Sequence, residues 1–140
     1  LKSGRADGED GRLIDAHQIR AAADQRFTDA QCLLNSPKAR YNGAVYLCGL
    51  VLDCLLKARL LEKHSHLAAA TPDRLSPRDR HLWNLVFRSH ELEVLLHELP
   101  DVMVILSSRE QQGSHRLRTA LRSLCARWNI QLRYSPILLK

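Results

Sequence analysis

Residues 40–63 read RYNGAVYLCGLVLDCLLKARLLEK, and this stretch decides the fold. A helix built from it carries apolar side chains on nearly every face, so neighbours must cover it on several sides. We therefore predict that it is the central helix of a bundle. Asp53 and Lys57 interrupt the apolar pattern at a spacing of four, with the acid on the favourable N-terminal side. Such a pair is either exposed to solvent at the edge of the bundle or lines a polar site.

The segments before and after this helix also have helical periodicity. Asp15 to Asn35 repeats apolar residues at three- and four-residue steps, with Asp15 as an N-cap, and Ser36-Pro37 ends it. The short link to Arg40 then predicts an antiparallel helix pair. Further on, Ser76-Pro77-x-Asp79 is a helix-start signal, and it predicts a short helix through Trp83 and Phe87.

Two more helices are predicted in the last third of the chain. One runs from about Ser89 to Leu99, and the apolar run Val102 to Leu106 after it is interpreted as a single helical turn. The last helix begins near Ser114 and ends before Pro136, with its buried stripe at Leu117, Leu121, Leu124, Trp128 and Leu132. The predicted fold class is all-α, an antiparallel bundle of four main helices plus short helical segments.

Length and composition limit the classes of protein that fit. The 140 residues suit one domain, which we place at residues 12–140 after a charged, Gly-rich tail at 1–11. The longest uncharged stretch, Tyr41 to Leu52, is shorter than the roughly 20 residues of a membrane helix. The four cysteines have no CxxC spacing and are predicted to be buried free thiols, which fits a cytoplasmic compartment: Cys32, Cys48, Cys54 and Cys125.

The net charge of +6 is unevenly distributed. Residues 101–140 hold seven lysines and arginines against two acids, so most of the surplus lies in the C-terminal part. An anionic partner would bind there, and a solvated arginine-bearing helix face is the alternative interpretation.

Three segments of the chain, taken in order, carry a family resemblance. Tyr41-Asn42-Gly43-Ala44, Tyr46-Leu47-Cys48-Gly49 and Asp53-x-x-x-Lys57-Ala58 resemble the second helix of the HEPN family of nucleotide-binding helical domains. His90-Glu91-Leu92 followed by Leu95-Leu96 resembles the opening of its third helix, and Arg133-Tyr134-Ser135-Pro136 resembles its closing Arg-Tyr-x-Pro. Together they cover roughly residues 15 to 136.

The closing Arg-Tyr-x-Pro is similar to the HEPN branch that accompanies minimal nucleotidyltransferases in toxin–antitoxin or defence systems. The resemblance implies a non-catalytic homodimeric subunit that binds nucleotide or RNA and needs no cofactor or metal. It places Lys57, His90, Arg133 and Tyr134 in the ligand cleft, with cations on phosphate and the phenol ring against a base. The alternative for Asp53 and Lys57 is a structural polar pair that fixes the register of the bundle.

Other HEPN domains are metal-independent endoribonucleases that use an Arg and a His near the start of the last helix. Arg109 and His115 stand in that place, where His can act as acid or base and Arg can hold phosphate. Whether the chain is an enzyme therefore stays open, although no aromatic residue follows His115 as it does in the nucleases. Four other pairs have similar spacing: Arg12/His17, Arg59/His64, Arg59/His66 and Arg74/His81.

A helical bundle used only for protein interaction is the third hypothesis. Homodimer formation is also indicated by apolar residues that one small bundle would leave uncovered, and we name Val45, Leu56, Leu60 and Val104. His90, Glu93 and His97 share a helix face, which is interpreted as a solvent-facing stripe rather than a zinc site.

Overall fold

The computed structural model describes residues 14–38, 40–113 and 116–134, and for residues 133 and 134 it describes the backbone alone. The predicted tail at 1–11 lies outside these ranges. The described part is helical without a strand, so the predicted all-α class is confirmed. Its helices are α1 (Ala16–Asn35), α2 (Tyr41–Lys63), α3 (Pro77–Phe87), α4 (Leu92–His97), α5 (Pro100–Gln111) and α6 (Leu117–Arg127). Short 3-10 turns occupy Ser65–Ala69, Pro72–Arg74 and Ile130–Tyr134.

Helices α1 and α2 form the main contact of the bundle, and their predicted extents are confirmed. The Asp15 carboxylate accepts a hydrogen bond from the Gln18 backbone N–H, and Gln18 reaches back to Asp15, which satisfies two free N–H groups at the start of α1. Ala23 and Ala30 are buried on the inner face of α1, and these small side chains let the two helix backbones approach closely.

Helix α2 packs against α1, α3 and α4, as expected for the central helix. Leu56 and Leu60 lie in its buried core, so the prediction that a monomer leaves these two side chains uncovered is wrong. Val45 is half-buried, and Val104 on α5 is 69% exposed. The rest of the core comes largely from leucines of the other helices: Leu67, Leu82, Leu85, Leu92, Leu95 and Leu99.

The boundaries after residue 88 differ from the prediction. Helix α3 begins as expected, with the Ser76 hydroxyl accepting from the Asp79 backbone N–H. Helix α4 has only six residues, because Pro100 starts a new helix rather than merely following the old one. Proline is favoured in the first turn, where its missing N–H has no partner to lose. The run Val102 to Leu106 therefore belongs to the twelve-residue α5 and is not a single turn.

The last helix is shorter than predicted and stops before Trp128. Helix α6 ends at Arg127, and the backbone of Trp128 is extended, so the predicted stripe does not continue in one helix to Leu132. The indole N–H of Trp128 donates to the Tyr46 carbonyl at 3.1 Å, and the two rings stack with centroids 6.3 Å apart. This tertiary contact fixes the C-terminal segment on α2.

Ion pairs on the surface connect α1, α2 and α5. Asp101 of α5 accepts from Arg59 at 2.9 Å and from Lys63 at 3.1 Å, while Glu62 accepts from Arg20 of α1 at 2.7 Å. The hydrogen bond from Arg59, helped by Lys63, lowers the pKa of the Asp101 carboxyl. These contacts join three helices outside the apolar core.

The four cysteines are free, but not all are buried. Cys125 is buried, Cys48 and Cys54 are half-buried, and Cys32 on α1 is exposed, so the prediction is wrong for Cys32. Burial raises the pKa of the Cys48, Cys54 and Cys125 thiols, which keeps them in the less reactive protonated form.

Candidate functional site

Asp53 and Lys57 lie one turn apart on α2, inside the bundle. Because α2 is apolar on nearly every side, its neighbours enclose both residues, which are 2% and 6% exposed. The Lys57 ammonium nitrogen lies 2.9 Å from Asp53 Oδ2. Each charge is therefore balanced by the other in a region from which water is largely excluded.

Lys57 makes further contacts with the segment between α3 and α4. Its Nζ donates to the Ser89 carbonyl at 2.5 Å and lies 3.4 Å from His90 Nδ1. The amine thus connects the middle of α2 to the start of the segment that leads into α4.

His90 completes this polar cluster and is its accessible member. Its Nδ1 lies 3.0 Å from Asp53 Oδ2. The carboxylate, paired with Lys57, can only accept, so the short distance places a proton on Nδ1. The other ring nitrogen, Nε2, takes no part in this bond, and the side chain is 42% exposed. A buried acid thus orients an imidazole that a ligand can reach.

The second oxygen of Asp53 is an unusual feature of the cluster. Oδ1 is buried and has no hydrogen-bond partner in the part of the chain that the structure describes. An unpaired buried acceptor costs free energy, so it indicates a position where a water molecule or another N–H or O–H donor belongs.

The structure brings together three of the residues that the sequence assigned to this region, Asp53, Lys57 and His90. The backbone of Arg133 and Tyr134 belongs to the 3-10 turn Ile130–Tyr134, which packs against α2. The side chains of these two residues lie outside the described part. The Ser89 carbonyl was not predicted, because every residue has a backbone carbonyl and the sequence does not indicate which one Lys57 contacts.

The alternative catalytic pair falls at the connection between α5 and α6. Arg109 is exposed in the last turn of α5, and His115 lies outside the described residues. Gly113, with φ of 109°, ends α5 in the left-handed conformation that glycine adopts without strain. Arg109 therefore precedes the turn, whereas α6 begins only at Leu117.

Helix α6 presents a basic surface. Arg116, Arg122 and Arg127 are exposed, and Arg122 lines a cavity of about 430 Å³ between α4, α5 and α6 together with Glu93 and His97. Among the described residues, no group of three or more His, Cys, Asp or Glu side chains has an arrangement that could hold a metal ion.

An apolar groove lies on the other side of α2. Its floor is formed by α2 and its walls by Phe27 of α1 and by α6, and its volume is about 300 Å³. The side chains that line it are all apolar or cysteine, including Cys48, Val51, Leu55, Leu117 and Leu121. Sequence periodicity did not reveal the groove, because it could not show which apolar strip of α2 would be left uncovered.

None of the helices in the described ranges is long and apolar enough to cross a membrane. Comparisons of the chain with protein-family models, with curated proteins and with solved structures gave no match.

Proposed function

We propose that this chain is a HEPN-like helical module that binds a nucleotide or RNA. In this proposal it acts as the non-catalytic partner of a minimal nucleotidyltransferase in a toxin–antitoxin or defence system. The observation that carries the ligand-binding part is the half-exposed imidazole of His90, oriented by the buried Asp53–Lys57 pair. The association with a nucleotidyltransferase rests on the resemblance in sequence.

The proposed residues have different roles. Lys57 has its ammonium group bonded to Asp53 and to the Ser89 carbonyl, so it positions His90 rather than contacting phosphate itself. His90 offers its Nε2 as an acceptor to a base N–H or a ribose hydroxyl, or as a donor to a phosphate when that nitrogen carries a proton. Arg133 is assigned to phosphate and Tyr134 to stacking on a base, as the family resemblance implies.

The charge distribution supports an anionic ligand. The net charge is +6, and Arg122 and Arg127 of α6 are exposed together with Arg116 directly before it. Clustered arginines raise the local concentration of a polyanion and make its binding sensitive to salt. For RNA we therefore expect affinity to fall steadily as salt is added.

Calorimetry with ATP, GTP and a short single-stranded RNA tests the proposal. We expect one of the three to bind, and we expect His90→Ala to weaken it about tenfold, the effect of losing one charge-assisted hydrogen bond. Arg133→Ala should weaken it at least as much. Arg74→Ala is the matched control, because it removes one exposed positive charge from the 3-10 turn Pro72–Arg74 and should leave affinity nearly unchanged.

The proposal fails if none of the three ligands gives heat and none raises the melting temperature. A ligand at a hundredfold its dissociation constant should stabilise the folded protein by about 2.7 kcal/mol, which is readily measured. The same RNA, recovered after incubation, distinguishes a binding protein from a ribonuclease. Cleavage that His115→Ala abolishes would replace the proposal with the enzyme hypothesis.

A protein-interaction module without a small ligand is the second candidate. The apolar groove between α1, α2 and α6 favours it, because exposed apolar surface of this kind commonly marks a protein interface. Silent titrations with all three ligands would support this candidate over the first.

A further inference from the structure

The C-terminal end of α3 carries an aromatic pair with an arginine over it. The rings of Trp83 and Phe87 lie with their centroids 5.0 Å apart, and both side chains are half-buried against the core. The guanidinium carbon of Arg88 lies 4.9 Å from the centroid of the Trp83 ring. At this distance the face of the indole attracts the cation, so the guanidinium is held at a defined place on the surface. We call Trp83, Phe87 and Arg88 the α3 platform.

The cation of the platform differs from other charged groups around α3. Arg78 is paired with Glu98, and His66 with Asp79, so their charges are already balanced by carboxylates. Arg88 is exposed to solvent while its guanidinium lies over an aromatic ring. A contact of this kind occupies one face of the guanidinium and leaves the opposite face and the N–H edge open to a ligand.

The α3 platform lies next to the candidate ligand site. Arg88 precedes His90 by two residues, so their α-carbons are at most about 7.6 Å apart, two steps of the chain. Ser89 between them is held twice, because its carbonyl accepts from Lys57 and its hydroxyl donates to the Leu85 carbonyl. The segment that joins the platform to His90 is therefore fixed to α2 and α3, which keeps the two sites at a constant separation.

We propose that the α3 platform stacks a nucleobase of single-stranded RNA, next to the nucleotide that His90 contacts. The base lies on the outer face of the Arg88 guanidinium, and the adjacent phosphate accepts from its N–H groups. This inference rests on the proposed function and narrows it, because the ligand is then a chain of nucleotides rather than a mononucleotide. Stacking is expected to tolerate any sequence, since every base has a π-face.

The composition of the platform favours a nucleotide over other ligands. A phosphate group alone needs the cation but not the two rings beneath it, and an apolar peptide needs the rings but not the cation. A nucleotide uses both, since its base stacks on the planar group and its phosphate pairs with the charge. The net charge of +6 adds a general attraction for a polyanion.

Calorimetry with adenosine monophosphate and with an RNA of four adenosines gives the first test. We expect the tetranucleotide to bind at least about tenfold more tightly, because it also occupies the platform and stacking contributes roughly this factor per base. Arg88→Ala should remove this advantage and leave the affinity for the mononucleotide nearly unchanged. Arg26→Ala is the matched control, because it removes an exposed arginine of α1 and should leave both affinities nearly unchanged.

Two further variants separate stacking from charge. Arg88→Lys keeps the positive charge without the planar group, so it should recover only a minor part of the affinity that Arg88→Ala loses. Trp83→Phe weakens the cation–π contact that holds the guanidinium, and it should weaken tetranucleotide binding less than Arg88→Ala does. Because both residues act in one stack, the double variant Trp83→Phe/Arg88→Ala should bind no more weakly than Arg88→Ala alone.

Circular dichroism shows whether each variant is folded, and the substitutions at the exposed Arg88 should leave the fold intact. Tetranucleotide binding that His90→Ala weakens and Arg88→Ala does not would overturn the platform and leave the proposed function standing. The reverse result would support the platform and overturn the role of His90. Equal affinities for the two ligands, or full recovery by Arg88→Lys, would overturn the stacking inference. Absence of binding by both ligands would overturn the proposed function as well.

Discussion

The two sides of α2 differ in how their side chains are covered. On one side Asp53 and Lys57 are buried and bonded to the segment that leads into α4. On the other side Cys48 and Leu55 face an open apolar groove. The polar groups are enclosed by the chain itself, while part of the apolar surface is open to solvent.

This contrast shows that a helix with apolar residues on every face need not be fully covered by its own chain. The polar side depends on internal geometry, because a buried charge without its partner is costly. On the open side, leucine and aromatic side chains stay in contact with water, so they add less to the free energy of folding. Substitutions on the polar side should therefore cost more stability than substitutions on the open side.

The largest effect should come from Lys57→Ala. This substitution leaves the Asp53 carboxylate buried without its counter-charge, and we expect a loss of about 3–5 kcal/mol in the free energy of unfolding. Urea denaturation measures the loss. The double variant Asp53→Asn/Lys57→Met removes both charges and should recover at least half of it. A single variant within about 0.5 kcal/mol of the wild type would show that the pair is not buried as described.

The next prediction compares the loss of stability on truncating two leucines of α2. Leu60→Ala creates a cavity in the core and should cost about 2–5 kcal/mol, whereas Leu55→Ala removes a partly exposed side chain and should cost under about 1 kcal/mol in the monomer. Equal costs for both leucines in dilute protein would remove the distinction between the two sides.

A smaller effect should come from glycine substitutions in α2. A methyl group at Gly49 would overlap the Trp128 ring, so Gly49→Ala must displace a buried indole and should cost about 1–3 kcal/mol. At Gly43 the nearest atom is the flexible Leu33 Cδ1 at 3.0 Å, and the gain in helix propensity, up to about 1 kcal/mol, offsets the crowding. Thermal melting compares the two variants, and a larger loss at Gly43 would contradict this packing.

The smallest effect concerns Glu98, which lies away from both sides of α2. Its bond with Arg78 lowers the pKa of the Glu98 carboxyl, with smaller help from His81. A lowered folded-state pKa stabilises the protein above the ordinary value of 4.5 and loses that contribution as pH falls through the folded-state pKa. Glu98→Gln should therefore cost stability at neutral pH and little in strong acid. A pH-independent difference between the two proteins would contradict the pairing.

The sequence predicted local structure well wherever a helix-start residue preceded an apolar repeat of helical period. Asp15 and Ser76 mark the starts of α1 and α3 because their side chains accept backbone hydrogen bonds a few residues later. The extent of α2 followed from its uninterrupted apolar pattern. Pro100 was ambiguous, because proline both follows helices and begins them.

Tertiary contacts determine the features of the structure that the local sequence pattern does not specify. Trp128 fits the stripe of α6, yet its bond to the Tyr46 carbonyl keeps it outside that helix. For the candidate site, spacing predicted that Asp53 and Lys57 could pair, and the family resemblance drew attention to His90. The distances that join the three residues depend on how the α3–α4 segment packs, which no periodicity in the chain records.

The contact between Trp128 and Tyr46 allows the C-terminal segment to be followed by tryptophan fluorescence. The chain contains two tryptophans, and Trp83→Phe would leave Trp128 as the single indole emitter. Its fluorescence, blue-shifted while the ring lies buried on α2, would move to longer wavelength when that segment detaches. Unfolding of this end of the molecule could then be followed separately from melting of the whole bundle.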